Sequence, residues 1–191
     1  MTRSTSYPPI KRSLDILVAL AALSLLWPIL AVIALAIRLD SPGPSLFLQA
    51  RVGLDGQTFH VFKFRTMRND LSGPVLTQVN DPRITRLGRW LRRTSIDELP
   101  QLVNILRGDM SLIGPRPEVP SIVATYPPEW RPVFGVRPGL TGWAQVHGRD
   151  DLDIPTKLGY DLEYVANLRF ALDWRIFWST FPLLLKGVGI K

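Results

Sequence analysis

Residues 16–37 read ILVALAALSLLWPILAVIALAI, twenty-two positions without a charge. A run of that length reaches the roughly 20 residues a helix needs to cross a bilayer. Pro28 lies near its middle. There it lacks an N–H and crowds the preceding turn, at about 3 kcal/mol in a helix interior. The carbonyl it frees belongs to Ser24, whose hydroxyl can help satisfy a local break. Basic residues flank both ends: Arg3, Lys11 and Arg12 before, Arg38 and Arg51 after. The positive-inside rule then draws both ends to one side. A re-entrant helix-break-helix meets both constraints. Residues 16–27 and 28–37 make pieces of about 18 and 15 Å, each too short for a hydrocarbon core of roughly 30 Å. A kinked span and a buried soluble helix are the competing readings. No small-x-small cleavage site marks a signal peptide.

Beyond this run the chain reads as α+β. Asp40-Ser-Pro-Gly-Pro44 ends the apolar segment. Residues 45–52 and 57–65 predict two strands around Asp55-Gly56, a hairpin signal. On the second, Lys63 and Arg65 share one face, with Phe62 and Phe64 on the other. Residues 68–82 read as a loop, 84–93 as a short basic helix and 99–107 as a helix ended by Gly108. Residues 114–142 are rich in proline and glycine and predict a rigid wrapper carrying Arg116, Arg131 and Arg137. Phe170, Trp174, Phe177, Trp178, Phe181 and Leu185 fall on one helical stripe, equally suited to a membrane interface or a packed face. The division expected is a leader and membrane helix over 1–40 and a loop-rich catalytic domain over 41–191.

Composition narrows the chemistry. The 191 residues include no cysteine and two histidines, and the net charge is +7. Thiolate sites and cysteine nucleophiles are excluded, and a multi-histidine metal site is disfavoured. A hard, oxygen-bound ion such as Mg2+ is the metal that fits. The positive charge points to an anionic partner. No P-loop and no strand-linked dinucleotide fingerprint is present. No nucleic-acid module accompanies the charge, so nucleic acid is not the expected partner.

The centre of interest is the stretch 92–117, where adjacent carboxylates Asp97 and Glu98 follow Arg92 and precede a Gly-Pro-Arg-Pro loop. Pro100 is best tolerated in a first helical turn, which places both acids at or just before a helix start. Ser95 and Glu98 have capping-box spacing. Read alone, such a pair caps a helix. Read with the arginines, it can hold a divalent metal and a phosphorylated substrate together. A glycosidase needs its carboxylates about 5–9.5 Å apart across the bond, which adjacent acids suit poorly.

Taken together, the motifs resemble the bacterial sugar transferases, the monotopic phosphoglycosyl transferases. They are Lys11-Arg-Ser-Leu-Asp15, Gln49-Ala-Arg-Val-Gly53, Lys63-Phe-Arg-Thr-Met67, Asp81-Pro-Arg83, Ser95-Ile-Asp-Glu-Leu-Pro-Gln101, Gly108 to Pro117, Arg137 to Gln145, Gly148-Arg149, and Asp161 with Tyr164. Trp27 departs from the pattern, where a small polar residue commonly precedes the proline. The resemblance implies transfer of a sugar-1-phosphate from a UDP-sugar to a polyprenyl phosphate at the cytoplasmic face of a bacterial plasma membrane. It implies Asp97 as nucleophile and Glu98 as ligand of Mg2+. Lys63, Arg65, Arg92, Arg116 and Arg149 are the expected phosphate contacts, with Gln145 and Asp161 as further substrate-binding candidates. A basic membrane scaffold without catalysis is the alternative class.

Overall fold

The computed structural model describes residues 9–68, 81–148 and 151–186, the last three by backbone only. The expected loop over 68–82 and Arg149 therefore lie mostly or wholly outside the described residues. Helix α1 (Pro9–Asp40) is followed by strands β1 (Leu46–Val52) and β2 (Thr58–Phe64). Next come α2 (Arg86–Arg93), a 3-10 helix (Ile96–Gln101), α3 (Leu102–Arg107) and β3 (Ser111–Ile113). The wrapper holds α4 (Pro120–Val123), a second 3-10 helix (Pro128–Gly135) and β4 (Gly139–Thr141). Helices α5 (Trp143–His147), α6 (Ile154–Ala166) and α7 (Phe170–Lys186) complete the chain.

The hairpin forms as its turn residues predict. Strands β1 and β2 pair antiparallel from Leu46↔Phe64 to Val52↔Thr58, and Asp55 takes φ 53° at the reversal. Strands β3 and β4 pair in parallel, Ser111 with Gly139 and Ile113 with Thr141. That pairing brings two glycines together. A Cβ on Gly114 would lie 2.4 Å from the Arg137 carbonyl oxygen, so no side chain fits there. The Gly-Pro-Arg-Pro loop is thereby laid tightly against β4.

Helix α1 differs from expectation. It runs unbroken through Ser24 and Pro28, not as two helical pieces. The proline removes a single N–H donor, and the flanking i to i−4 bonds can carry the helix past it. Both ends of α1 are fastened to the same body. At the N-terminal end, Arg12 donates to the carbonyls of Ile105 (2.6 Å) and Leu106 (3.1 Å), the last turn of α3. Asp15 accepts from the Leu112 N–H at 3.0 Å, and Lys11 pairs with Asp173 on α7. Ala19 is buried in one core with Val61, Leu102, Ile105 and Met110. At the other end, Ile33 and Ile37 pack with Phe64 and Leu91. Between them Leu25, Trp27, Ile29 and Val32 are exposed.

Arg65 completes the second attachment. Its guanidinium donates to the carbonyls of Ser41 (2.6 Å), Pro42 (2.6 Å) and Ile37 (3.2 Å). The Ile37 carbonyl, in the last turn of α1, also accepts from the Ser41 N–H at 3.2 Å, and Ser41 and Pro42 lie just past the helix end. Arg65 is thus committed to the end of α1, a correction to its expected place among the phosphate contacts.

The aromatic stripe of α7 divides. Phe170, Trp174, Trp178 and Phe181 are exposed, whereas Ile176 is fully buried and Phe177 packs against the core of Ile113, Trp143 and Tyr164. The exposed rings touch in series, Phe170–Trp174 at 6.1 Å, Trp174–Trp178 at 5.6 Å and Trp178–Phe181 at 5.7 Å between centroids. A packed face does not account for these four.

Candidate active site

Four segments converge on Asp97 and Glu98. The 3-10 helix carries both acids in its first turn, after Ser95. Ser95 adopts a left-handed conformation, φ 56°, and makes no side-chain cap, so the expected capping box does not form. Its carbonyl accepts from the Glu98 N–H at 3.2 Å instead. A non-glycine residue held there stores about 1–3 kcal/mol of backbone strain, common where a reactive side chain is aimed. The α-helix itself begins after Pro100, at Leu102, and ends on Gly108 at φ 94°.

From β2, Lys63 Nζ donates to Glu98 Oε1 at 2.9 Å. From the wrapper, Arg116 reaches the same carboxylate at 2.9 and 3.4 Å. Arg92, on α2, donates to Thr66 Oγ1 at 2.8 Å, and its charge acts on Asp97. Asp97 itself makes no hydrogen bond or ion pair among the described residues. One acid is therefore bound by two cations, and its neighbour lies open among three.

The electrostatics separate the pair. Burial and the Glu98 charge push Asp97 up to about 6, against the pull of Lys63, Arg92 and Arg116. Asp97 lies in a short 3-10 turn, and burial beside a like charge outweighs the cations. Burial also opposes ionisation of Glu98. There Arg116 and Lys63 prevail and hold the carboxyl far below its usual range. Two neighbouring acids pushed apart in this way suit two different roles.

Arg51 sets the Arg116 loop from behind. It donates to the Pro117 carbonyl at 2.9 Å and pairs with Glu118 at 3.3 Å, while Lys157 holds the other Glu118 oxygen. Arg116 also separates two cavities. One, of about 210 Å³, is bordered by Glu98, Arg116 and Gln145 and walled on one side by α7. Gln145 is 6% exposed, and among the described residues neither its Nε2 nor its Oε1 has a partner. The other holds about 20 Å³, room for one water, between Arg116, Glu118, Tyr126 and Asp161. Asp161 is 1% exposed, its Oδ1 is unpartnered among the described residues, and burial pushes it up to about 7 despite Lys157.

The structure thus gathers Lys63, Arg92, Asp97, Glu98, Arg116 and Gln145, places Asp161 behind Arg116, and sends Arg65 elsewhere. Thr94, Thr141 and Thr180 border the larger cavity, and no spacing in the sequence announced them. His147 donates through Nδ1–H to the Trp143 carbonyl oxygen at 2.8 Å and stacks on Tyr160.

Metal fit follows from the donors. No group of three His, Cys, Asp or Glu residues able to hold a metal occurs among the described residues. Two adjacent carboxylates still suit magnesium, which takes one or two protein oxygens and fills its shell from water and phosphate.

The bacterial sugar transferase family matches residues 6–187. The chain belongs to this family. The exopolysaccharide production protein PSS of Rhizobium leguminosarum bv. phaseoli is 46% identical over 94% of this chain and 98% of its own length. The UDP-N-acetylgalactosamine-undecaprenyl-phosphate N-acetylgalactosaminephosphotransferase of Aeromonas hydrophila is 42% identical over 98% of this chain. The UDP-glucose:undecaprenyl-phosphate glucose-1-phosphate transferase of Escherichia coli (strain K12) is 42% identical over 93%. The chain spans 46% and 40% of those last two, so less than half of each.

Proposed function

We propose that this transferase moves a sugar-1-phosphate from a UDP-sugar to polyprenyl phosphate, as the first step of a surface glycan. The observation that carries the reading is the open Asp97 carboxylate among Lys63, Arg92 and Arg116, beside a Glu98 already held by two cations. Asp97 Oδ attacks the phosphorus bearing the sugar. The bond from that phosphorus to the UMP oxygen breaks, and UMP leaves with the electron pair. The phosphosugar stays on Asp97 as an acyl phosphate. A phosphate oxygen of the polyprenyl acceptor then attacks the same phosphorus, and the Asp97 carboxylate departs. No bond to the anomeric carbon breaks, so the sugar keeps its configuration.

Glu98 would hold Mg2+ together with the diphosphate oxygens; bound there, the ion neutralises charge on the leaving UMP. Arg116 and Lys63 then exchange part of their hold on Glu98 for phosphate oxygens, which arginine meets bidentately. Arg92 faces the same charge from α2.

The membrane arrangement follows from α1. It is long and apolar enough to cross a bilayer, yet Arg12 and Asp15 near one end and Ile37 near the other attach to one body. A spanning helix would put roughly 30 Å of hydrocarbon between those ends. A re-entrant α1 that bends at Ser24 and Pro28 within its continuous helical run, with the catalytic residues on the cytoplasmic face, fits the double attachment. Basic residues at both flanks favour that side.

Release of UMP from a UDP-sugar, dependent on polyprenyl phosphate for continued turnover, tests the reading. Full activity in Asp97→Asn would remove the covalent route. The relatives are named for glucose and for N-acetylgalactosamine, so the proposal is made for the UDP-sugar class.

A further inference from the structure

The cavity of about 210 Å³ is mostly apolar, bordered by Leu99, Leu112, Leu140 and Val146 beside Phe177 and Phe181. Its few polar groups are unevenly engaged. Glu98 and Arg116 bind each other, and the Thr141 and Thr180 hydroxyls share a hydrogen bond at 2.9 Å. Among the described residues that border it, Gln145 alone presents a buried amide with both atoms free. Burying such a group without partners costs about 1–3 kcal/mol, which marks a place where a ligand supplies them.

We propose that this cavity receives the phosphate end and first isoprene units of the polyprenyl phosphate acceptor. The inference rests on the transferase reading and adds the acceptor's place in it. Three features select this occupant. The apolar wall suits an unsaturated hydrocarbon and offers a sugar few hydrogen-bond partners. Arg116 and the Gln145 amide suit a phosphate monoester, whose second ionisation near about 6 leaves it acceptor oxygens and, in the monoanion, one O–H. Finally, Phe181 both borders the cavity and is 45% exposed, in contact with Trp178 in the outward aromatic series of α7. Aromatic rings of that kind settle at a bilayer interface. The cavity wall thus continues into the surface from which a lipid would enter, and leads to Glu98, the chain neighbour of Asp97.

The test uses the full chain in detergent. Val146→Phe fills the cavity, and Gln145→Met removes the amide at similar length. Each is expected to raise the KM for polyprenyl phosphate roughly tenfold or more, on the scale of an overpacked contact. The KM for the UDP-sugar and the yield of donor label on Asp97 move less than about twofold. Equal rises in both KM values, or no change in either, would overturn the assignment. Labelling of Asp97 also reports that a variant is folded.

A second measurement avoids substitution. A short isoprenyl phosphate carrying a photoreactive diazirine is crosslinked to the unaltered protein. Adducts on Leu140, Phe177, Phe181 or Leu183, unaffected by excess inorganic phosphate, support the site. Adducts confined to α1 would refute it. If the unaltered protein neither labels Asp97 nor releases UMP, the transferase reading fails, and the crosslinks still decide what the cavity holds.

Discussion

Replacing Asp97 by asparagine should abolish transfer and stabilise the protein. The carboxyl is pushed from 3.8 to about 6, chiefly by burial and by Glu98. A displacement of that size is worth about 3 kcal/mol against the folded, ionised state. The introduced amide carries no charge and forfeits no hydrogen bond, because Asp97 makes none among the described residues. With partial solvent screening of the site, the gain is about 1–3 kcal/mol at pH 8. For a chain of this size that raises Tm by roughly 3–8 °C. The sign depends on pH. Below about pH 4 Asp97 is protonated in both folded and unfolded chains, so asparagine has no advantage. Between about pH 4 and 7 the unfolded chain ionises first, and the advantage grows to its full value. Tryptophan fluorescence melts of both proteins in one detergent, from about pH 4.5 to 8, read this directly. A lower Tm for Asp97→Asn at pH 8, or an equal gain at both ends of the range, would refute the electrostatic account of the site.

Glu98 should behave oppositely. Its folded-state carboxyl is depressed by Arg116 and Lys63, so its contribution is present at neutral pH and lost only in strong acid. Glu98→Gln leaves two part-buried cations short of a partner and should cost at least about 2 kcal/mol at pH 8, read as a lower Tm. Donor labelling of Asp97 should rise with pH to a half-point at about 6, and Glu98→Gln should move that half-point lower; a flat profile from about pH 5 to 8 would count against Asp97 as the attacking carboxylate. Arg65→Ala should destabilise by about 3 kcal/mol or more, since three carbonyls at and just past the end of α1, two of them in buried contacts, lose a charged donor. Thermal melts check it, and a loss under about 1 kcal/mol would contradict that role. Gly88→Ala should cost about 2 kcal/mol or more and slow labelling. Its Cβ would meet the Thr66 carbonyl oxygen at 2.1 Å and push α2, with Arg92, away from β2.

Local signals in the sequence carried the hairpin and the end of α3. Asp55-Gly56 and Gly108 supply the backbone conformations those turns need, and neighbours in the chain decide them. Lys63 was also readable, because strand alternation fixes its face. The same rule misled for Arg65, which lies one residue past β2, with its N–H bonded to Ser45 O at 2.8 Å and its side chain turned to α1. Ser95 shows the same limit: capping-box spacing needs an extended cap residue, and the structure places it left-handed. Pairings such as Asp15 with Leu112, or Arg51 with Pro117, join segments 97 and 66 residues apart. No periodicity within either segment encodes them. The motifs flagged these residues, and the packing supplied their tasks.

The proposed mechanism passes through a phosphosugar bound covalently to Asp97. The protein is incubated with a UDP-sugar radiolabelled in the sugar, without lipid acceptor, then quenched and digested. Label is expected on the peptide containing Asp97, with UMP released in matching amount and the label lost when polyprenyl phosphate is added. UMP release that requires the acceptor and leaves no label on Asp97 would contradict it.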